Sequence, residues 1–92
     1  MKRLRWTTTA LDDFTRIVDL IRNDKPAAAH RVAKTIYNGV ELLRTLPHRG
    51  RTGRVKNTRE LVFPPWPYIV VYEILEGEVQ VLRVRHASRD WS

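Results

Sequence analysis

Charged and apolar residues alternate from Lys2 to Trp6 and then meet Thr7-Thr8-Thr9, which predicts a short strand running into a helix cap. Thr9 and Asp12 stand at capping-box spacing, with Asp in place of the usual Glu or Gln. Leu11, Phe14, Ile17, Val18 and Ile21 then recur at helical spacing, with Asp12, Asp13, Arg16, Asp19 and Arg22 expected to turn away. This predicts a first helix over about Ala10 to Arg22. Asn23-Asp24-Lys25-Pro26 breaks the pattern, and Pro suits the first turn of a new helix. A second helix is expected to run to about Leu46 with Ala29, Val32, Ile36, Val40 and Leu43 on its apolar face. Gly39 within it is a candidate for close approach to the first helix. So short a link predicts an antiparallel helical hairpin.

Pro47 stops the helix, and Pro47 to Thr58 is expected to be a loop with two Gly, three Arg and one Lys. Arg59 to Phe63 reads as a strand, Pro64-Pro65-Trp66-Pro67 as a rigid connection, and Tyr68 to Leu75 as a strand rich in β-branched and aromatic residues. Glu76-Gly77 is the turn to a returning strand, Val79 to Arg85. The order is β-α-α-β-β-β. It predicts a two-layer α+β domain over residues 1–92, a helical hairpin packed on a mostly antiparallel four-stranded sheet whose other face stays open. Which residues occupy that face depends on the register. Simple pairing across Glu76-Gly77 sets Tyr68 opposite Arg85, whereas a one-residue bulge at Gly77 exchanges the faces.

Charge narrows the partners. Seventeen Lys and Arg against ten Asp and Glu give a formal +7, and thirteen of the seventeen are Arg. Such a field favours polyanions or acidic proteins, and Arg suits bidentate phosphate contact and stacking on bases. An Arg-rich proteome is the bland account of the same count. The absence of Cys excludes disulfide scaffolds, thiol nucleophiles and thiolate metal sites. No apolar stretch approaches the roughly 20 residues of a membrane span, and no apolar region follows the charges at the start. A cytoplasmic protein with no membrane partner is the expectation.

The densest candidate chemistry lies in the closing segment. Strand alternation puts Arg83 and Arg85 on one face and Leu82, Val84 and His86 on the other. His86 is a candidate acid or base near neutral pH, and adjacent arginines can stabilise a phosphate that gains negative charge. Equally, His86 can tie down the C-terminus through a hydrogen bond. Arg49, Arg51, Arg54 and Lys56 form a candidate phosphate-contacting loop or, on the plainer reading, a solvated one. Glu60 is a candidate base but fits a surface ion pair better. Trp66, Tyr68 and Tyr72 can stack on bases, with Tyr72 expected in the core. His30, His48 and His86 lack metal-site spacing, there is no phosphate-binding Gly loop, and Ser88 sits in no nucleophile elbow. No cofactor and no metal are expected.

The element order, the segments Arg59-Glu60-Leu61-Val62-Phe63 and Pro67-Tyr68-Ile69-Val70-Val71-Tyr72, the Gly-Arg loop from Arg49 to Arg54 and the ending Val81 to Trp91 together resemble the RelE/ParE superfamily of toxin–antitoxin toxins. The resemblance spans nearly the whole chain. It implies a toxin silenced by a cognate antitoxin in a hetero-oligomer, and one of two modes of action, of which the first is the leading expectation and the second the alternative. In the first, a metal-independent endoribonuclease cleaves mRNA on the ribosome by attack of the substrate's 2′-hydroxyl. His86 then serves as acid or base, Arg83, Arg85 and Arg59 hold the scissile phosphate, and Arg49, Arg51, Arg54, Lys56 and Arg89 bind nucleic acid. Relatives of that kind usually carry an Arg where this chain has Ile69, and RelE is Lys-rich where this loop has only Lys56. In the second mode the protein poisons DNA gyrase without catalysis, which the His86-x-x-Arg89-Asp90 pattern resembles. A degenerate, non-toxic partner of an antitoxin is a third possibility.

Overall fold

The computed structural model describes residues 1–88. Two helices cover one face of a five-stranded sheet in the order β1 (Arg3–Trp6), α1 (Thr8–Asp24), α2 (Pro26–Glu41), β2 (Arg51–Thr52), β3 (Arg59–Phe63), β4 (Trp66–Leu75) and β5 (Glu78–His86). The strands lie in the spatial order β1-β5-β4-β3-β2, with β1 parallel to β5 and every other pairing antiparallel. The α+β, two-layer expectation holds with one more strand than expected. Within the anticipated loop, Asn57 takes a left-handed φ of 68°, and the chain returns so that Arg51 and Thr52 pair with Glu60 and Arg59. Among the described residues no helix is long and apolar enough to cross a membrane.

The helix boundaries move for identifiable reasons. Thr7, not Thr9, caps α1: its Oγ1 accepts from the Ala10 amide at 3.1 Å and donates to the Val81 carbonyl of β5 at 3.0 Å. One hydroxyl therefore closes the helix end and staples it to the sheet. Lys25 is the joint between the helices, with Pro26 opening α2 and no side chain capping it. α2 ends at Glu41, and its last expected turn is a 3₁₀ turn over Leu42–Arg44. The anticipated stripe of Ala29, Val32, Ile36, Val40 and Leu43 is buried throughout.

Val32, Ile36, Val40 and Leu43 of that stripe meet Leu61, Phe63, Val70, Tyr72, Val79, Val81 and Val84 from the sheet, and the core forms between the layers. Gly39 marks a close approach, but to the sheet rather than to α1. A Cβ there would stand 2.5 Å from the Phe63 ring. Asp13, expected on the outer face of α1, is instead 3% exposed beside Ala10 and Ile17.

Gly77, at a φ of +74°, turns β4 into β5, and Leu75 pairs with Glu78 directly across the turn. The bulge lies further on. Tyr72 pairs with Val81 and Val71 with Arg83, so Leu82 is the extra residue on β5. It occurs where β1 ends and Thr7 takes the Val81 and Leu82 carbonyls. Beyond it Ile69 pairs with Arg85 and Tyr68 with His86. The open face is thereby decided: Arg85, Ile69 and Val62 lie in one row across β5, β4 and β3, and Arg83, Val71, Glu60 and Arg51 in the next.

Candidate functional site

The open face is organised around Glu60. This carboxylate is 5% exposed although it lies on the face without helices. Its Oε1 accepts from Arg51 Nη2 at 3.0 Å and Nε at 3.2 Å, while Oε2 accepts from Arg85 Nη2 and the Arg54 amide, each at 3.4 Å. Burial works to raise its pKa. The Arg51 hydrogen bonds, the Arg54 amide and the charges of Arg85 and Arg51 work the other way and prevail, so the group stays below the ordinary value of 4.5. Glu60 is thus not the surface pair expected, and with both carboxylate oxygens taken up by arginines and an amide it is poorly placed for proton abstraction.

Tyr72 and Arg59 set the position of Arg51. The Tyr72 hydroxyl, reaching out of the core, donates to the Pro47 carbonyl at 2.6 Å and accepts from the Gly50 amide at 2.9 Å. The Arg59 guanidinium donates to the carbonyls of Gly50 at 3.0 Å and His48 at 3.2 Å. Both fasten the segment that delivers Arg51 to Glu60. Arg51, Arg54, Glu60, Ile69, Arg85 and Ser88 line a cleft of about 540 Å³ on this face. Arg51 is largely exposed at its rim, and only 12% of the Arg85 side chain is accessible.

The four residues expected to share a phosphate-cleaving site are not gathered into one. Arg85 lies in the cleft, whereas Arg59 is engaged by loop carbonyls. Arg83 belongs to the open face by register, but its Nε and Nη2 donate to Asp13 at 2.8 and 3.2 Å. That carboxylate's hydrogen bond and charge raise the Arg83 pKa against the opposing effect of burial. His86 lies on the helix-covered face. Its ring meets Tyr68 edge-on at 5.5 Å, and its Nδ1 accepts from the Ser88 amide at 3.2 Å with Ser88 Oγ 2.8 Å away. Together with Trp66, Tyr68, Leu20 and Ile21 it borders a separate groove of about 510 Å³.

Of the candidate nucleic-acid contacts, Arg51 and Arg54 reach the cleft, while Arg49 and Lys56 are exposed on the loop. Arg89, with Asp90 and Trp91, lies outside the described residues. Tyr72 is fully buried as expected, and Trp66 and Tyr68 pack against the core from the helix side. Among the described residues no three or more His, Asp or Glu side chains gather as a metal site.

Sequence reasoning missed Asp13. Its carboxylate takes Arg83 and also accepts from the buried Val84 amide at 3.0 Å, an edge amide of β5 past the end of β1. The signal was available: Asp13 sits three residues after Ala10 and four before Ile17, on the buried stripe.

The same chain-wide pattern is found in known proteins. A Sinorhizobium fredii protein, Y4kP, is 44% identical over 90 residues, covering 98% of this chain and 93% of that one. Toxin RelE2 of Caulobacter vibrioides is 39% identical over 89 residues, covering 97% and 99%. The solved chromosomal ParDE toxin–antitoxin system of P. aeruginosa contains a chain that superposes with a TM-score of 0.86 at 26% identity, covering 96% of this chain and 98% of its own. A chain of the RelBE2 complex of Mycobacterium tuberculosis shares the fold at a TM-score of 0.62 and 24% identity, with 95% and 93% covered. Residues 4–91 match the family described as the ParE toxin of the type II toxin–antitoxin system parDE, and the chain belongs to that family.

Proposed function

We propose that this type II toxin arrests growth as a binder and not as a nuclease, with DNA gyrase, the target that the ParE-type resemblance implies, as the protein it poisons. The observation that carries this reading is the separation of His86 from Arg85. The candidate proton-transfer group and the buried candidate phosphate-holding group project from opposite faces of β5, an arrangement that does not favour one scissile phosphate held between them. Two further points agree. Ile69 occupies the place where RNA-cutting relatives usually carry Arg, and the remaining arginines of the expected set are engaged by Asp13 and by loop carbonyls. A cognate antitoxin is the expected partner, and the +7 chain favours fast, salt-sensitive capture by an acidic one.

The test is induction of the chain alone in a bacterial host, with protein synthesis and DNA replication followed by pulse labelling in one culture. Gyrase poisoning predicts early loss of replication, a DNA-damage response and toxicity that survives His86→Ala. Early loss of translation with fragmented mRNA, abolished by His86→Ala, would establish the RNA-cutting mode instead.

A further inference from the structure

The Glu60 cleft is built like an anion site and already contains an anion. Two guanidiniums and one backbone amide converge on a carboxylate that is 5% exposed, and that carboxylate belongs to the chain itself. Arg–carboxylate and Arg–phosphate contacts use the same planar fork of donors, so a phosphate entering the cleft competes with Glu60 for the same N–H groups. The competition is unequal: Glu60 is tethered by β3 and its strand partner Val71, whereas a phosphate must give up translational freedom to take its place. A phosphate that approaches without displacing Glu60 meets a fixed negative charge at the floor.

We infer that Glu60 is a specificity-determining residue: an internal counter-ion that withholds Arg51 and Arg85 from nucleic-acid phosphate and leaves the cleft closed to RNA. This deepens the binder reading, on which it rests, by naming the residue that keeps a strongly basic, arginine-lined cleft from behaving as a phosphate site. It also assigns the two arginines a default partner. Their donors become available only to a group that out-competes a tethered carboxylate.

The experiment measures binding of a short fluorescent oligouridine to the full chain, with inorganic phosphate as competitor, across a range of salt. Glu60→Gln removes the charge and keeps the shape; the expected result is binding about tenfold tighter, with a steeper salt dependence and sensitivity to inorganic phosphate. Glu60→Gln combined with Arg85→Gln is expected to return to the unmodified affinity. Glu73→Gln makes the same change in net charge at a half-buried position that does not line the cleft, and is expected to alter binding less than about twofold, because charges separated through solvent are screened. Glu60→Asp, which withdraws the carboxylate by one methylene, gives a smaller gain and serves as the readout if the Gln variant does not fold. The inference is overturned if neither Glu60 variant gains affinity, if the gain survives loss of Arg85, or if Glu73→Gln gains as much. Growth arrest does not enter this measurement, so the cleft inference can fail while the gyrase reading stands, and the pulse-labelling result can fail while the cleft behaves as described.

Discussion

Asp13 and Glu60 are both buried carboxylates, each accepting from arginine and from a backbone amide, yet they occupy different kinds of place. Asp13 fills a gap in the fold. β1 pairs with β5 only as far as Trp6 and Val81, and the Val84 amide beyond that point meets the Asp13 carboxylate at 3.0 Å while Arg83 closes on it at 2.8 Å. Glu60 fills no gap in the hydrogen-bond ladder. It gathers two arginines from different strands on the uncovered face, and two of its contacts are as long as 3.4 Å. Where a carboxylate completes backbone pairing, its loss should be felt as lost stability. Where it collects side chains at a cleft, its loss should be felt mainly in what the cleft binds.

The sharpest way to break this contrast is Asp13→Ala. It leaves a buried edge amide without an acceptor and removes a partner of Arg83, a loss of about 3 kcal/mol, or roughly 15 °C in melting temperature for a domain of this size. Asp13→Asn retains an acceptor for the Val84 amide and should lose about half as much. Thermal and urea unfolding read both variants. A melting temperature for Asp13→Ala within a few degrees of the parent would show that the β5 edge is satisfied in another way.

Tyr72→Phe tests the Glu60 side of the comparison from beneath. The ring remains in the core, but the Pro47 carbonyl and Gly50 amide lose their shared hydroxyl, which should destabilise the protein by about 1–2 kcal/mol. The segment that presents Arg51 should also loosen, seen as faster amide hydrogen exchange at Gly50 and its neighbours while the exchange of β5 is unchanged. Equal loosening of β5 would mean that the two carboxylate sites are not separate structural units.

The two sites also differ in how far they were legible. Helix α2 could be read nearly whole, because the spacing of Ala29, Val32, Ile36, Val40 and Leu43 is local and each residue reports its own face. Asp13 stands four residues before Ile17, yet its charge set it among the residues expected to turn away, and only its distant partners on β5 explain why it lies inside. Of the two registers left open, simple pairing holds next to the turn and a bulge exchanges the faces only beyond Tyr72. Its position at Leu82, not at Gly77, follows from the end of β1 and the grip of Thr7, contacts made across more than seventy residues of chain. Glu60 was legible as a charged strand residue beside Arg59. Its partners were not, because Arg51 reaches it only through the two-residue strand formed after the left-handed turn at Asn57, and Arg85 only through the shifted register of β5.

The smallest effect expected is on stability at neutral pH from Glu60→Gln, about 1 kcal/mol, because the amide keeps an oxygen for Arg51 and no longer carries a charge that is costly to bury. Its pH dependence is more telling. The folded-state pKa of Glu60 lies below the ordinary 4.5, so more protons bind at this position in the unfolded chain than in the folded one across the interval between the two values. The stabilisation from the charged form is therefore fully present above the unfolded value and is lost as pH falls through the lower folded value. Unfolding curves taken from neutral pH into acid should show the parent losing stability across that interval more steeply than Glu60→Gln, so that the two converge at the acid end. Parallel curves would mean that the arginines hold Glu60 no more tightly than water does, and the contrast with Asp13 would then rest on geometry alone.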